Sequence, residues 1–211
     1  MNKKKIIIIT LSIVLIIACI FLFDLVRKVV ILSNYADKCN EYSKVTNFYR
    51  KANPEDGVTT EFWRKDDLGL LKRTSKDDIK MVYYGKDYNW IIVENKDSKT
   101  AVKMNKEGIG IEAQILPTGT LNMGNLWDKV KMAFSSKITT EYLDGIECYK
   151  IYTNEDWQIF INKNNLLYIR EINGSTDTGI IEYKLNEVKD EDVMLPNLTG
   201  YTINDTTQQT N

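Results

Sequence analysis

With no histidine among its 211 residues, this chain lacks the side chain most used for acid–base catalysis and metal binding. That absence removes Ser-His-Asp and Cys-His catalysis, histidine-based zinc and iron sites, and histidine pH sensing. Acids cluster at Asp66-Asp67, Asp77-Asp78, Glu155-Asp156 and Asp190-Glu191-Asp192. Paired carboxylates hydrolyse glycosides when they face each other across a cleft with one of them desolvated. These clusters fall instead where the local sequence reads as turns, so they are solvated and shape the chain. None has the spacing of a calcium loop. Gly108-Ile109-Gly110 lacks the third glycine and the following helix of a phosphate-binding loop. Of the three cysteines, Cys39 and Cys148 are free to pair or to sit as two buried thiols, and their spacing favours neither. Cys19 follows Ile16-Ile17-Ala18, the order of residue types that precedes a lipidated cysteine. The chain is read as non-enzymatic, with no cofactor and no metal.

The clearest physical signal is at the N-terminus. Lys3-Lys4-Lys5 precedes an apolar run from residue 6 to residue 23 that no charge interrupts before Asp24. At helical rise it is long enough to cross a hydrocarbon core. The lysines hold their end in the cytoplasm and place the rest outside. The reading is an uncleaved, single-pass signal-anchor over residues 1–24. A cleaved secretory signal and lipidation at Cys19 are the alternatives. The remaining chain is one extracytoplasmic domain over 25–203, followed by a polar, disordered tail over 204–211. Net charge is −1 with acids and bases interspersed, which argues against a nucleic-acid footprint.

Beyond the anchor, Leu25, Val29, Leu32 and Ala36 share a helical face, so the first helix runs out of the membrane onto the domain. Alternating strands follow at 48–50, 58–64, 70–74, 81–84, 90–93 and 101–104, separated by turn residues. The glycine- and proline-bearing stretch 108–120 breaks the pattern. A helix over 122–134 then carries Met123, Leu126, Trp127, Val130 and Phe134 at helical spacing, with Asn122 able to cap it. Strands resume at 138–143, 146–153, 157–161, 166–172 and 179–188, with Asp144-Gly145 as a hairpin turn. The segment 194–203 adds a weaker edge strand. This order predicts an α+β fold: a large curved antiparallel sheet, or half-barrel, with an N-terminal helix and an inserted helix on its concave face.

Alternation puts Met81 with Tyr83, Trp90 with Ile92, Val102 with Met104, Trp157 with Ile159 and Ile161, and Ile181 with Tyr183 and Leu185 on one face of each strand. In a half-barrel that apolar stripe either lines a cavity for alkyl chains or packs against the helices as an ordinary core. The candidate ligand-binding residues are therefore Met81, Tyr83, Trp90, Ile92, Met104, Trp127, Trp157, Ile159 and Tyr183. The stretch 108–120 and its helix form a candidate lid, with Trp127 as the plug.

Three segments carry a family likeness. Thr60-Glu61-Phe62-Trp63-Arg64-Lys65 is an early strand with an aromatic and a basic residue. Tyr84-Gly85-Lys86-Asp87-Tyr88-Asn89-Trp90 is a turn followed by an aromatic strand. Ile159-Phe160-Ile161-Asn162-Lys163-Asn164-Asn165-Leu166-Leu167 is a late strand–turn–strand. With the order of elements, they resemble the LolA/LolB-like lipoprotein-carrier superfamily. The resemblance implies a half-barrel with a helical lid that binds the acyl chains of a lipid or lipoprotein. A membrane-fixed copy does not shuttle between membranes, and a GerS-like subset of such anchored proteins supports a cell-wall enzyme instead. The expected partners are the membrane and an acyl chain or lipoprotein. The alternative is a regulator or scaffold that docks an envelope enzyme.

Overall fold

The computed structural model describes residues 3–54, 57–106, 124–153 and 156–207. A single helix, α1 (Lys3–Tyr42), joins two unlike environments. Forty residues at helical rise make it about 60 Å long. Its first part is long and apolar enough to cross a membrane, and every residue of the run 6–23 is exposed. Burial begins only beyond Asp24, and Ile31, Leu32 and Tyr35 are its buried side chains. At the changeover Arg27 donates to the Ile138 carbonyl at 3.2 Å and Lys28 to that of Ser136 at 3.1 Å, while both also hold Asp24. The cations that end the apolar run thus fasten the helix to the domain.

Six strands in antiparallel succession follow: β1 (Asn47–Asn53), β2 (Thr59–Lys65), β3 (Leu68–Thr74), β4 (Asp78–Tyr84), β5 (Tyr88–Asn95) and β6 (Lys99–Asn105). The helix α2 (Leu126–Ser135) comes next. Its N-cap Asn125 accepts from the Asp128 N–H at 2.9 Å. A second meander comprises β7 (Lys137–Leu143), β8 (Ile146–Tyr152), β9 (Trp157–Asn162), β10 (Tyr168–Asn173) and the short β11 (Thr176–Asp177). The expected Asp144-Gly145 hairpin turns with both residues at positive φ, the pattern a tight two-residue hairpin requires.

At Gly179 the chain leaves the second sheet and enters the first as β12 (Ile180–Leu185), alongside β1. Here φ is +64, and a Cβ would lie 2.0 Å from the Asn53 carbonyl oxygen, so only glycine fits the crossing. After β12 the chain runs over the face of the large sheet away from α1. It carries a short 3-10 helix (Asp190–Val193) and ends as β13 (Thr202–Asp205), parallel to β6. The parallel pairing follows from that route, because the chain departs one edge of the sheet and reaches the other. The result is an eight-stranded sheet in the order β12-β1-β2-β3-β4-β5-β6-β13 and a five-stranded sheet in the order β11-β10-β9-β8-β7.

We call the sheet face that meets α1 the inner face. Around α1 the core joins Ile31, Leu32 and Tyr35 to Ile138, Ile151, Ile159 and Ile161 of the small sheet and Ile181 of β12. A second cluster, Phe48, Phe62 and Tyr84, sits under Tyr42 and Val45. On the outer face Met81, Ile92 and Ala101 are covered by Leu198 and Tyr201 of the returning chain.

Candidate functional site

Strand register decides which predicted residues meet. On the inner face Arg50 of β1 is directly opposite Tyr183 of β12 on one side and Phe62 of β2 on the other. Phe62 then pairs with Leu71, Leu71 with Val82, Val82 with Ile91, and Ile91 with Val102. One registered row therefore crosses seven strands, from a tyrosine and an arginine to a run of aliphatic side chains. At the spacing between strands, the stretch from Phe62 to Val102 measures about 19 Å. Phe62 is buried, while Leu71, Val82, Ile91 and Val102 are only partly so. Leu71 and Val82 touch the cluster under α1, which does not extend to Ile91 or Val102 among the described residues. The row is covered by α1 at one end and is apolar and half-buried at the other.

At the covered end the polar groups are unusual. The Arg50 guanidinium lies over the Phe62 ring at 5.8 Å. Among the described residues it makes no hydrogen bond and no ion pair. Burial lowers its pKa, and nearby Tyr183, Tyr168 and Tyr84 oppose that shift. The Tyr183 hydroxyl is itself buried without a hydrogen-bond partner among the described residues, and burial raises its pKa. Other polar groups nearby are engaged. Glu171 accepts from the Trp157 indole at 2.6 Å and the Tyr168 hydroxyl at 2.8 Å. Arg64, on the inner face of β2, donates from Nε to the Asp66 carbonyl at 3.1 Å.

The predicted stripe is divided between faces. Trp157, Ile159 and Tyr183 do face α1, with Tyr183 in the row above. Met104 is on the inner face of β6, in register with Asn89. Met81, Tyr83, Trp90 and Ile92 share a face as alternation requires, but it is the outer one, where Met81 and Ile92 pack beneath Leu198 and Tyr201. Alternation fixes which residues share a face and leaves open which face meets the helix. Trp127 is not a plug: it is 64% exposed, as are Leu126 and Phe134 to a similar degree. α2 instead buries Ala133 and packs Met132 against α1 and β7. Its apolar face turns outward, with the Phe134 ring 5.9 Å from that of Phe21. The rest of the candidate lid, 108–120, and the expected cap Asn122 lie outside the described residues.

Cys19 is exposed within the apolar run, and Cys39 and Cys148 are not joined to each other, each lying in a different part of the core. Among the described acids, Asp66 and Asp67 are in the β2–β3 turn and Asp190, Glu191 and Asp192 in the 3-10 helix. Among the described residues no three His, Cys, Asp or Glu side chains gather as metal ligands.

Arg50, Leu71, Val82 and Ile91 are not among the residues expected from sequence. Arg50 was legible in principle: in Phe48-Tyr49-Arg50 it shares a face with a core phenylalanine, and a cation at an inward position breaks the binary pattern.

No protein-family model matches the chain, and no characterised protein matches it by sequence. A solved structure of PNGF-II aligns over 75% of this chain at 12% identity, with a TM-score of 0.27. This chain spans 31% of that protein's length. A likeness of that order establishes neither a common fold nor a common function.

Proposed function

We propose that the protein is a membrane-anchored, non-enzymatic binding protein of the cell envelope. It holds acyl chains of a lipid or lipoprotein against the inner face of its large sheet, in the manner of LolA-like carriers but fixed in place. The apolar run of α1 spans the membrane with Lys3–Lys5 on the cytoplasmic side and the domain outside. One observation carries this reading: the inner-face row Leu71, Val82, Ile91 and Val102 is apolar, contiguous and only partly buried. Its length suits a long alkyl chain, and each methylene removed from water contributes about 0.8 kcal/mol.

The test uses the full chain, because α1 supplies Ile31, Leu32 and Tyr35 to the core. Native mass spectrometry of protein extracted from a bacterial membrane should show a bound lipid mass that survives detergent removal. Replacing Ile91 and Val102 by asparagine should strip that mass without unfolding the domain. A bare protein mass in the presence of added phospholipid would count against the reading.

A second reading, docking of an envelope enzyme, has its own support. β7 ends the small sheet, its outer edge has no strand partner among the described residues, and Tyr142 on it is 70% exposed. Such an edge can accept a strand from a partner.

A further inference from the structure

We infer that Arg50 and Tyr183 form a seat for an oxyanion, carboxylate or phosphate, at the head of an amphiphile whose chain lies along Leu71, Val82, Ile91 and Val102. The inference rests on the reading that the inner face takes acyl chains. It adds the head-group chemistry and the direction in which the chain lies.

Three observations converge. First, a guanidinium drawn partly out of water normally finds a carboxylate, since an unpaired desolvated charge is costly. Arg50 has none among the described residues, although acids are plentiful in the chain and Arg27 and Arg170 each hold one. Second, a buried hydroxyl normally has a hydrogen-bond partner, and that of Tyr183 has none among the described residues. The two residues are direct cross-strand neighbours, so their Cβ atoms lie about 4.5–5.5 Å apart on one face. Side chains that leave one face that close together can turn guanidinium N–H and phenol O–H donors towards one oxyanion, which would satisfy both. Third, this pair is the polar end of the registered row. An oxyanion there leaves its alkyl chain heading past Phe62, whose ring Tyr42 and Val45 already cover, and across the half-buried Leu71, Val82 and Ile91 towards Val102, about 24 Å from Arg50 at inter-strand spacing.

The experiment uses the full chain in nanodiscs and three sixteen-carbon probes with a photoreactive diazirine at mid-chain: the acid, the alkyl phosphate and the alcohol. Crosslinked peptides are mapped by mass spectrometry. The acid or the phosphate should label the β3–β5 peptides at least about tenfold more than the alcohol, the difference a charge-assisted contact supplies. Their ranking identifies the head group. Arg50→Gln should reduce anionic labelling to the alcohol's level and leave alcohol labelling unchanged, which also shows that the variant is folded. Tyr183→Phe should lower anionic labelling severalfold without lowering the melting temperature. Equal labelling by acid, phosphate and alcohol, or full anionic labelling of Arg50→Gln, overturns the seat and leaves the acyl-chain reading standing. No labelling of β3–β5 by any probe overturns that reading and the seat with it. Excess inorganic phosphate should not compete; if it abolishes labelling, the seat takes a free oxyanion and the lipid assignment falls.

Discussion

Two arginines on the same sheet face should respond to the same substitution with opposite signs. Arg50 and Arg64 both point inward, from β1 and β2, in adjacent rows. Arg64 is 8% exposed and its Nε is satisfied by the Asp66 carbonyl. Arg50 is partly buried with no hydrogen-bond or ion-pair partner among the described residues. Replacing Arg50 by methionine keeps most of the volume of its stem and removes the desolvated charge. Relief of an unsatisfied buried polar group is worth about 1–3 kcal/mol. The exposed part of Arg50 puts the gain at the lower end of that range. Against it stands the lost contact with the Phe62 ring, about 0.5–1 kcal/mol. The expected net effect is stabilisation of up to about 0.5 kcal/mol, a rise in melting temperature of up to about 2 °C for a domain of this size. Arg64→Met deletes a satisfied donor from a buried site and strands the Asp66 carbonyl. It should destabilise by about 1–3 kcal/mol.

The assay is thermal unfolding of the full chain in mild detergent, followed by near-ultraviolet circular dichroism, which reports the packed tyrosines and tryptophans of the core. If Arg50→Met melts several degrees below the native chain, the guanidinium is structurally partnered and the case for a ligand seat loses its basis. Stability gained on losing a polar residue is the mark of a site retained for function rather than for folding.

Other perturbations address the remaining parts. Trp127→Ala should change stability by less than about 0.5 kcal/mol, because the side chain is exposed; a fall of about 3–5 kcal/mol in a denaturant titration would mean that it is buried after all. Gly179→Ala should cost about 2–4 kcal/mol at the crossing between sheets, and an unchanged denaturation midpoint would refute the close approach of Asn53. At the same crossing Asp177 is held below its ordinary pKa of 3.8, chiefly by the hydrogen-bonded Arg170 guanidinium and also by the Gly179 N–H. A depressed carboxylate stabilises the fold above its unfolded value, and that contribution is lost as pH falls through the folded value. Unfolding midpoints should therefore drop below about pH 4, and Asp177→Asn should flatten that part of the profile while costing about 1–2 kcal/mol at neutral pH.

The elements were readable from sequence because their signals are local. Alternation located β1 to β6 and β12 of the large sheet, Asp144-Gly145 gave the β7–β8 hairpin, and the uninterrupted apolar run gave the exposed part of α1. β13, at Thr202–Asp205, instead runs two residues into the stretch expected to be a disordered tail. What sequence could not supply was the side of the sheet on which α1 would lie. Tyr83 and Tyr84 are adjacent tyrosines on one strand, and nothing in their neighbourhood says which faces the helix. The answer came from Phe48, Phe62 and Tyr84 packing together beneath Tyr42, a contact set by pairings distant in the chain. The same non-local register creates the row from Tyr183 to Val102, which draws on seven strands and has no sequence motif. α2 misled for a different reason. Its apolar stripe is real, but a stripe reports only that a face seeks an apolar neighbour, and here that face turns towards the apolar run of α1 instead of the sheet.

That arrangement bears on how a ligand would arrive. α1 is continuous from its exposed apolar run to Tyr42, and the Arg27 and Lys28 contacts tie it to β7 and the end of α2 at the changeover. No linker separates the apolar run from the core, so on the anchored reading the domain is fixed relative to the bilayer. Phe134 then stands at the level of Phe21, inside the apolar run, and α2 is only about 15 Å long, so the whole helix stays close to the lipid surface. A freely tethered carrier would capture its ligand from solution, with the full cost of exposing an acyl chain to water at about 0.8 kcal/mol per methylene. A domain held against the membrane can take the chain as it leaves the bilayer, so that little of it is hydrated at any moment. The fixed helix would cost the protein its freedom to shuttle and give it access to ligands that never become soluble.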